Sequence, residues 1–458
     1  MISPLFHANR REALCRLVDG PILLMGNGHR MRNLPMNHLP FRQDSSFLYF
    51  TGCQIPSSAA LIEEGEVTLF APPPTDDDPL WHGPVPSLQE SAEKLGITRV
   101  KPIAQLSSYC KGLSPKTIAV PDRQQNRLAE EITNLELDYG RANGNDQLID
   151  AIIQLRRVLL PDEIKQMRTA AKVTDLAHRA AMAETHIGGH ERYVAAAFDA
   201  TIARHGLTNA YSSIVTVNGH ILHNHKYINP LKDGQLLLLD GGAESTAGYA
   251  SDVTRTWPVS GTFTPRQRAA YEAVLKVQKR CIEMVTQGVR YRDIHMAAAR
   301  GIAQFLVAEK LLNISADDAV EVGAQALFFP HGIGHLIGLD VHDLENFGDR
   351  PAYAQGRTRS SQFGTGYLRL DLDLVAGMAV TIEPGFYVAP AILNNPKLKE
   401  HLGSFVNWST VEKWNGFGGI RIEDDVLCTT EGPEIISGHI PKETNEIESL
   451  VGRSDGSN

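Results

Sequence analysis

The first third of the chain alternates short apolar runs with turns rich in glycine and proline. Strand-length apolar runs lie at residues 21–25, 59–62 and 67–71, and the last of them is followed directly by three prolines. Helical patterns lie at residues 88–95 and 126–132. Short runs that are interrupted in this way indicate strands, and their mixture with helices predicts an α/β domain at the N-terminus.

A different pattern begins at Pro161. Apolar and small residues recur there at three- and four-residue spacings through position 181, which predicts one long amphipathic helix. Pro161 suits the first helical turn, and Asp162 and Glu163 place negative charge at the positive end of the helix dipole. We therefore expect a second domain to begin here. Alternating elements follow it, with strands predicted at residues 235–240 and 249–258 and helices at 265–287 and 291–312.

Composition narrows the class of protein. Of 458 residues, 42% are hydrophobic and 21% are charged, as in soluble globular domains, and the net charge of −9 argues against general binding to nucleic acid. No apolar run reaches the length of about 18 residues that a membrane span needs. The five cysteines are scattered and form no CxxC pair, which predicts reduced thiols in the cytoplasm. The 17 histidines direct attention to metal or acid–base chemistry.

Four carboxylates stand at the ends of apolar, strand-like segments. Asp240 ends the run LLLLD before two glycines, and Asp252 follows at hairpin distance, so that two antiparallel neighbours can direct both carboxylates at one point. Glu383 lies in AVTIEPGFY, next to Pro384 and Gly385. In GGIRIEDDV a period of two places Arg421 and Glu423 on one face. Apolar neighbours imply burial, and a buried carboxylate needs a proton or a cation.

Histidines accompany these acids. The segment HGIGHLIGLDVHD contains His331, His335 and His342, and its glycines predict turns and extended chain instead of helix. His223 lies in NGHILHNHKY, before Asp240. One imidazole among several carboxylates is a hard ligand set, which favours Mn²⁺, Co²⁺ or Fe²⁺ more than a thiolate zinc site would.

The segments LDGGAE, SDVTRTWPV, HGIGHLIGLDVHD, TIEPGFY and GGIRIEDDV, in this order, resemble the pita-bread metallopeptidases. That family contains methionine aminopeptidase, aminopeptidase P and prolidase. RQDSSFLYFTG at residues 42–52 resembles the N-terminal domain of aminopeptidase P and prolidase, which methionine aminopeptidases lack. The resemblance implies an α/β N-terminal domain at 1–158, an α+β pita-bread catalytic domain of the creatinase/aminopeptidase type at 159–450 and a polar tail at 451–458.

The resemblance also implies a site for two divalent metal ions. Asp240 would chelate one ion, Asp252 and Glu423 would bridge both, and His335 and Glu383 would complete the second. Mn²⁺ is the first expectation, with Co²⁺, Fe²⁺ or Zn²⁺ as alternatives. Four carboxylates balance four positive charges, and such a pair of ions holds a bridging hydroxide near neutral pH.

Further roles follow from the same resemblance. Glu383 would accept a proton from the attacking water, and His342 would stabilise the tetrahedral intermediate. His223 and His331 would line the substrate pocket, and Arg421 would support the ligands from the next layer of side chains. The segment before His223 is shorter than is usual in the family, which leaves any substrate contact of Tyr211 open.

Two peptidase activities agree with the resemblance. The first hypothesis is a Xaa-Pro aminopeptidase, and the second is a prolidase restricted to dipeptides. The insert between His342 and Glu383 is long and resembles that of prolidase, and Arg369 occupies the position from which an arginine would contact a substrate carboxylate. A non-catalytic pita-bread binding protein is a third hypothesis.

The family also implies a homodimer or homotetramer. Residues 344–366 are either a functional lid or a mobile insert. Further arginines of the insert that could bind a carboxylate are Arg350, Arg357 and Arg359.

Overall fold

The computed structural model describes residues 2–34 and 36–453, so the predicted polar tail lies outside the described residues from position 454 onward. The chain forms two compact units. The first contains the residues up to Arg157 together with the segment Leu344–Pro351, and the second contains Val158–Asp343 and the chain from Ala352 onward. Among the described residues, no helix combines the length and the apolar character that crossing a membrane requires.

The first unit is built on a five-stranded mixed sheet in the order β4-β3-β2-β1-β5, with antiparallel central pairs and parallel outer pairs. Leu23, Leu61 and Phe70 are fully buried in its core. The predictions of three strands and two helices are confirmed here. The helices are α1 Pro4–Leu17, α2 Ser45–Thr51, α3 Asp78–His82, α4 Leu88–Lys94, α5 Leu106–Tyr109, α6 Arg123–Thr133 and α7 Asp146–Arg156, and the strands are β1 Ile22–Met25, β2 Ala59–Glu63, β3 Glu66–Ala71, β4 Arg99–Pro102 and β5 Lys116–Thr117.

The segment Leu344–Pro351 joins the first unit although no sequence pattern indicates this. Its Arg350 extends a guanidinium fork to the carboxylate of Asp150, with N–O distances of 2.6 and 2.7 Å, and also bonds Asp146, both on α7. The side-chain amide of Asn143 donates to the carbonyl of Asn346 at 3.0 Å. The first part of the long insert is therefore anchored by hydrogen bonds, and Arg350 is engaged with helix carboxylates.

The second unit contains the long helix that was predicted to begin at Pro161. Two later helices end earlier than predicted, at Glu283 and Ala308; after the second, Lys310 adopts a left-handed conformation (φ 58°) that helices do not continue. The helices are α8 Pro161–Glu184, α9 Glu191–Arg204, α10 Pro265–Glu283, α11 Tyr291–Ala308, α12 Ala316–Val322, α13 Pro390–Leu393, α14 Pro396–Leu402, α15 Trp408–Glu412 and α16 Thr444–Leu450. The strands are β6 Thr208–Asn209, β7 Ile214–Thr216, β8 Leu236–Asp240, β9 Ala243–Glu244, β10 Thr254–Pro258, β11 Ala379–Ile382, β12 Gly385–Tyr387, β13 Gly419–Arg421, β14 Asp424–Thr429 and β15 Gly432–Ile435.

The second unit contains small antiparallel sheets with the strand orders β10-β8-β7, β11-β14-β15 and β12-β13. The strand predicted at 249–258 is correct only from Thr254 onward. Before β10 the backbone N–H of Ala250 donates to the carbonyl of Gly338 at 2.9 Å, whereas that of Ser251 donates to the carbonyl of Ala243 at 3.0 Å, so the ladder is not continuous there.

One continuous hydrophobic core supports these sheets. It joins residues from α8, α9, α10 and α11 to the apolar sides of the strands. Trp257 of β10 is fully buried in it, and its indole N–H donates to the hydroxyl of Thr185 at 3.0 Å. The helices thus close one side of the strands, and polar strand ends are left to form a site.

Candidate active site

The end of β8 and the start of β10 carry the first pair of carboxylates. Asp240 is the last residue of β8 and pairs with Thr254, the first residue of β10. Asp252 precedes Thr254 by two residues. Both aspartates are buried, at 8% and 5% exposed. The antiparallel pairing that the sequence predicted therefore brings both carboxylates to one edge of the sheet.

Gly242 permits the close chain approach between these two aspartates. A Cβ atom on Gly242 would lie 1.7 Å from the carbonyl oxygen of Ser251, a backbone atom that cannot rotate away. A side chain at this position would push apart the two arms that carry Asp240 and Asp252.

We expect Gly242→Ala to lower both the thermal midpoint and the Mn²⁺ affinity, because the methyl group and the Ser251 carbonyl cannot occupy the same space. Gly403→Ala is the matched control, since Gly403 has helical φ of −63° and its nearest atom to an added Cβ lies at 3.7 Å. Thermal denaturation with and without Mn²⁺ measures both effects. Equal midpoints and affinities for the two variants would contradict the prediction.

The second pair of carboxylates comes from the other sheets. Glu383 follows the last residue of β11, and Glu423 lies between β13 and β14. The hydroxyl of Thr254 donates to Oε2 of Glu423 at 2.6 Å, and the backbone N–H of Glu423 donates to the carbonyl of Thr254 at 3.0 Å. Glu423 is thereby fixed against β10.

His335 is oriented like a metal-binding histidine. Its Nδ1 lies 3.0 Å from the carbonyl of Leu336, which fixes a proton on that nitrogen and directs Nε2 toward the carboxylates. Nε2 lies 3.5 Å from Oδ2 of Asp252 and 3.9 Å from Oε1 of Glu383. The ring stacks on that of His342, with centroids 4.0 Å apart. As predicted, this histidine segment contains no helix.

All ten predicted site residues line one cavity of about 500 Å³. The ligand-competent atoms form three overlapping groups, in each of which the atoms lie within 4.8 Å of one another. The groups are Asp240, Asp252 and Glu423; His335, Glu383 and Glu423; and Asp252, His335 and His342. The predicted residues that line the cavity are His223, Asp240, Asp252, His331, His335, His342, Arg369, Glu383, Arg421 and Glu423.

Bound cations would stabilise the charged forms of these buried carboxylates. Burial raises the pKa of Glu383 to about 7, and burial together with the Asp252 carboxylate raises the pKa of Glu423 well above its ordinary range. Burial also raises the pKa of Asp240. Burial opposes a charge on His335, but the hydrogen bond and charge of Asp252 raise its pKa to about 9. Four carboxylates and one imidazole suit two divalent ions, which would remove the repulsion.

Arg421 and His331 are joined by a tyrosine that sequence analysis missed. Nη1 of Arg421 donates to the hydroxyl of Tyr387 at 3.2 Å, and that hydroxyl lies 2.8 Å from Nε2 of His331. Nη2 of Arg421 bonds Asp240. Burial and the charge of Arg421 lower the pKa of His331 to about 3, so His331 is neutral near pH 7.

Tyr211 lies directly on the carboxylates. Its hydroxyl donates to Oδ1 of Asp240 at 2.6 Å and also contacts Oδ1 of Asp252. The sequence left the contacts of this tyrosine open, and no local pattern could have revealed them, since its partners lie 29 and 41 residues away along the chain.

The second part of the insert forms a wall of the cavity. Nη1 of Arg359 donates to the carbonyl of Leu368 at 2.7 Å, and the Arg359 guanidinium lies 5.2 Å from the ring centroid of Tyr353. Arg369, the residue after Leu368, lines the cavity, and Phe363 of the same insert also lines it. Bidentate bonds from Arg290 to the carboxylate of Asp371, at 2.6 and 2.7 Å, hold this extended segment.

Comparison with known families identifies the fold. The family model described as metallopeptidase family M24 matches residues 165–430, which is more than half of the chain. The chain belongs to metallopeptidase family M24. In this M24 metallopeptidase, a second family model, described as the aminopeptidase P N-terminal domain, matches residues 7–119. These matches confirm the predicted α/β N-terminal domain and pita-bread catalytic domain.

Relatives of this M24 metallopeptidase cover most of its length. It is 32% identical over 425 residues to a probable Xaa-Pro aminopeptidase of Fusarium vanettenii, covering 90% of this chain and 88% of the relative. It is 33% identical over 430 residues to one of Aspergillus clavatus, covering 90% and 89%.

Solved structures agree with these relatives. Pseudomonas aeruginosa aminopeptidase PepP superposes with a TM-score of 0.82 at 29% identity, and Zn-substituted Escherichia coli aminopeptidase P in complex with product superposes with a TM-score of 0.81 at 26% identity. Each covers 98% of both chains. The fold extends along nearly the whole chain, including the N-terminal domain.

Proposed function

We propose that the protein is a Xaa-Pro aminopeptidase that uses two divalent metal ions to hydrolyse the peptide bond between an N-terminal residue and proline. The observation that carries the proposal is the cluster of four carboxylates and His335 in one cavity of an M24 metallopeptidase. The aminopeptidase P type of N-terminal domain and the names of the relatives support the substrate class.

The ions would be held by the overlapping groups of side chains in the cavity. Asp240 would bind one ion, His335 and Glu383 the other, and Asp252 and Glu423 both. Asp252 and Glu423 are the two carboxylates that belong to two of these groups of ligand atoms, and a carboxylate has two oxygens to share, which supports their bridging role. Because oxygen ligands dominate, we propose Mn²⁺ as the native ion. When bound, such a pair of ions supplies a deprotonated water at neutral pH and polarises the substrate carbonyl.

The protein's own groups would then complete the catalysis. Glu383, whose pKa is poised by burial, accepts a proton from the attacking water and delivers it to the leaving proline nitrogen. Arg421 and Tyr211 hold the carboxylate of Asp240 in place. His342, which stacks on His335, would stabilise the oxygen charge that develops on the substrate.

The residues that line the cavity beside the proposed metal ligands fit a short peptide with a compact apolar residue. His223 and His331 lie along the cavity with Leu222 and Phe363, and Arg369 supplies a cation to a main-chain oxygen or a terminal carboxylate. Proline lacks an N–H and has a fixed φ, so a pocket shaped for its ring is needed. The prolidase hypothesis is not favoured, because the relatives are named Xaa-Pro aminopeptidases and the solved neighbours are aminopeptidases P. A non-catalytic role is likewise not favoured.

We expect the Mn²⁺-loaded protein to release the first residue of X-Pro-Pro tripeptides and longer peptides, and to lose this activity on exhaustive chelation. Re-addition of Mn²⁺ restores it. Liquid chromatography of the products, with X-Pro-Pro and the X-Ala-Pro control assayed in parallel, measures both effects. Full activity after chelation, or cleavage restricted to X-Pro dipeptides, would refute the proposal.

The proposal also includes the cellular location and the oligomeric state of the protein. A cytoplasmic location is supported by the cysteines, all of which are free thiols and four of which are buried. We propose a homodimer or homotetramer as the assembly, on the basis of the family resemblance, and light scattering of the purified protein determines which.

A further inference from the structure

Behind the metal site lies an arginine whose hydrogen-bonding capacity is completely used. Arg255 of β10 is 0% exposed. Its five N–H groups meet five acceptors: the carbonyls of Thr254, Glu423, Ile440 and Pro441, at 2.6 to 3.0 Å, and the carboxylate of Asp424 at 2.8 Å. A guanidinium has five N–H donors in a rigid plane, so this one cannot shift without breaking several bonds at once.

The carboxylate of Asp424 is fixed as firmly as the arginine. Besides Arg255 it accepts from the hydroxyl of Ser437 at 2.7 Å, the amide of Gln278 at 2.7 Å and the ammonium of Lys442 at 2.6 Å. Lys442 also donates to the side-chain oxygen of Gln278 at 3.1 Å. None of these residues lines the cavity in the described part of the chain. They form a saturated polar cluster in the interior.

This cluster meets the candidate metal site at Glu423. The carbonyl of Glu423 accepts from Arg255 at 2.6 Å, its N–H donates to the carbonyl of Thr254, and its carboxylate accepts from the hydroxyl of Thr254. Hydrogen bonds therefore hold the backbone N–H, the backbone carbonyl and the side-chain carboxylate of Glu423. Glu423 follows the end of β13 and precedes β14, so regular strand pairing does not fix it.

We propose that Arg255 is a positioning residue for the metal site, which holds the backbone of Glu423 so that its carboxylate meets both ions without rearrangement. Asp424, Gln278 and Lys442 hold Arg255 in turn. The proposal rests on the proposed function, in which Glu423 is a shared ligand. Groups that orient a ligand from outside change metal affinity even though they touch neither metal nor substrate.

The test is Arg255→Lys in the full-length protein, stripped of metal and titrated with Mn²⁺ by calorimetry. Lysine keeps the charge but has three donors on a flexible stem, so at least two of the five acceptors lose their partner. We expect the Kd for Mn²⁺ to rise by about 10- to 100-fold, the usual cost of losing an outer partner of a ligand. At saturating Mn²⁺, kcat recovers, because Arg255 does not contact the substrate.

Arg290→Lys is the matched control. It makes the same chemical change in an arginine of the same unit, which binds the buried carboxylate of Asp371 through two hydrogen bonds. Within the described residues, its side-chain hydrogen bonds go to no proposed metal ligand. Its Mn²⁺ affinity should equal that of the wild type. Thermal denaturation of the metal-free proteins measures the purely structural cost of each change separately.

The outcomes are distinguishable. A wild type that binds Mn²⁺ and an Arg255→Lys variant of equal affinity would overturn the positioning role alone, as would an equal loss in Arg290→Lys. A wild type that binds no divalent metal would overturn the proposed function as well. If Arg255→Lys does not fold, the charge-neutral Gln278→Met carries the test, because it removes one bond to Asp424 and one to Lys442; a smaller loss in affinity is expected, and no loss would overturn the proposal.

Discussion

Asp252→Asn is expected to abolish stable binding of the metal pair and to lower kcat/KM by more than about 100-fold. The carboxylate of Asp252 lies between Tyr211 and His335 and belongs to two of the three groups of ligand atoms. An amide keeps the shape but removes the negative charge that both ions would share. The effect should exceed the roughly 10- to 100-fold cost of losing an outer hydrogen-bond partner. Metal content and peptide hydrolysis measure it.

Asp425→Asn is the control, because it makes the same chemical change at another buried aspartate. Asp425 is 0% exposed and accepts from the hydroxyl of Ser251 and the backbone N–H of Asp252, at 2.8 to 3.2 Å, but it belongs to none of the groups of ligand atoms. Burial and the Asp252 charge raise the pKa of Asp425 well above its ordinary range, so a neutral amide is a close substitute. The amide oxygen can still accept from the backbone N–H of Asp252, so a loss of activity much smaller than that of Asp252→Asn is expected here. Equal losses in both variants would show that general disruption, and not the loss of a ligand, explains the Asp252 result.

Glu383→Gln is expected to lower kcat by about 100- to 10,000-fold, which is the usual contribution of a positioned general base. Burial disfavours the charge of Glu383 and raises its pKa to about 7, so this carboxylate takes up a proton more readily than an exposed one. Glutamine can still offer an oxygen to a metal ion but cannot accept a proton. Steady-state kinetics at saturating Mn²⁺ measure the loss, while KM for the peptide should change little.

Metal content separates the two roles of Glu383. If the Glu383→Gln variant binds two equivalents of Mn²⁺ and has lost kcat, proton transfer is the function that was removed. A variant that is fully loaded with metal and retains more than about a tenth of the wild-type kcat would contradict the assignment of Glu383 as the base.

The positions of the acids could be predicted because each depends on a local pattern. Asp240 ends an apolar run, and Glu383 precedes a proline that cannot continue a strand, so strand ends were visible in the sequence. The strand predicted from residue 249 begins only at Thr254, because before it the pairing with residues 241–245 is irregular and the N–H of Ala250 donates to Gly338, which is distant in sequence. Local periodicity carries no information about such a partner.

Apart from Arg421, which the family resemblance implied, the supporting side chains could not be predicted for the same reason. Tyr211, Tyr387 and Arg255 act through partners that lie between 29 and 186 residues away along the chain, apart from the bond of Arg255 to its own neighbour Thr254. Tyr387 in TIEPGFY and Arg255 in SDVTRT lie within recognisable segments, but nothing in a tyrosine or arginine alone distinguishes a supporting group from a core or surface residue. The proposed metal ligands can be recognised from short sequence segments, whereas the side chains that support them are brought together only by the tertiary fold.

The return of Leu344–Pro351 to the first unit means that the two units are not separable by one cut in the chain. Cleavage near Arg157 would remove Asp146 and Asp150, the acceptors of Arg350, and leave the segment in the remaining fragment without these bonds. Leu344 follows His342 by only two residues, and the same insert continues into the cavity wall at Arg359. Loss of the N-terminal region would therefore disturb the catalytic cavity through covalent continuity, and deletion experiments on the first unit will report on catalysis as well as on its own function.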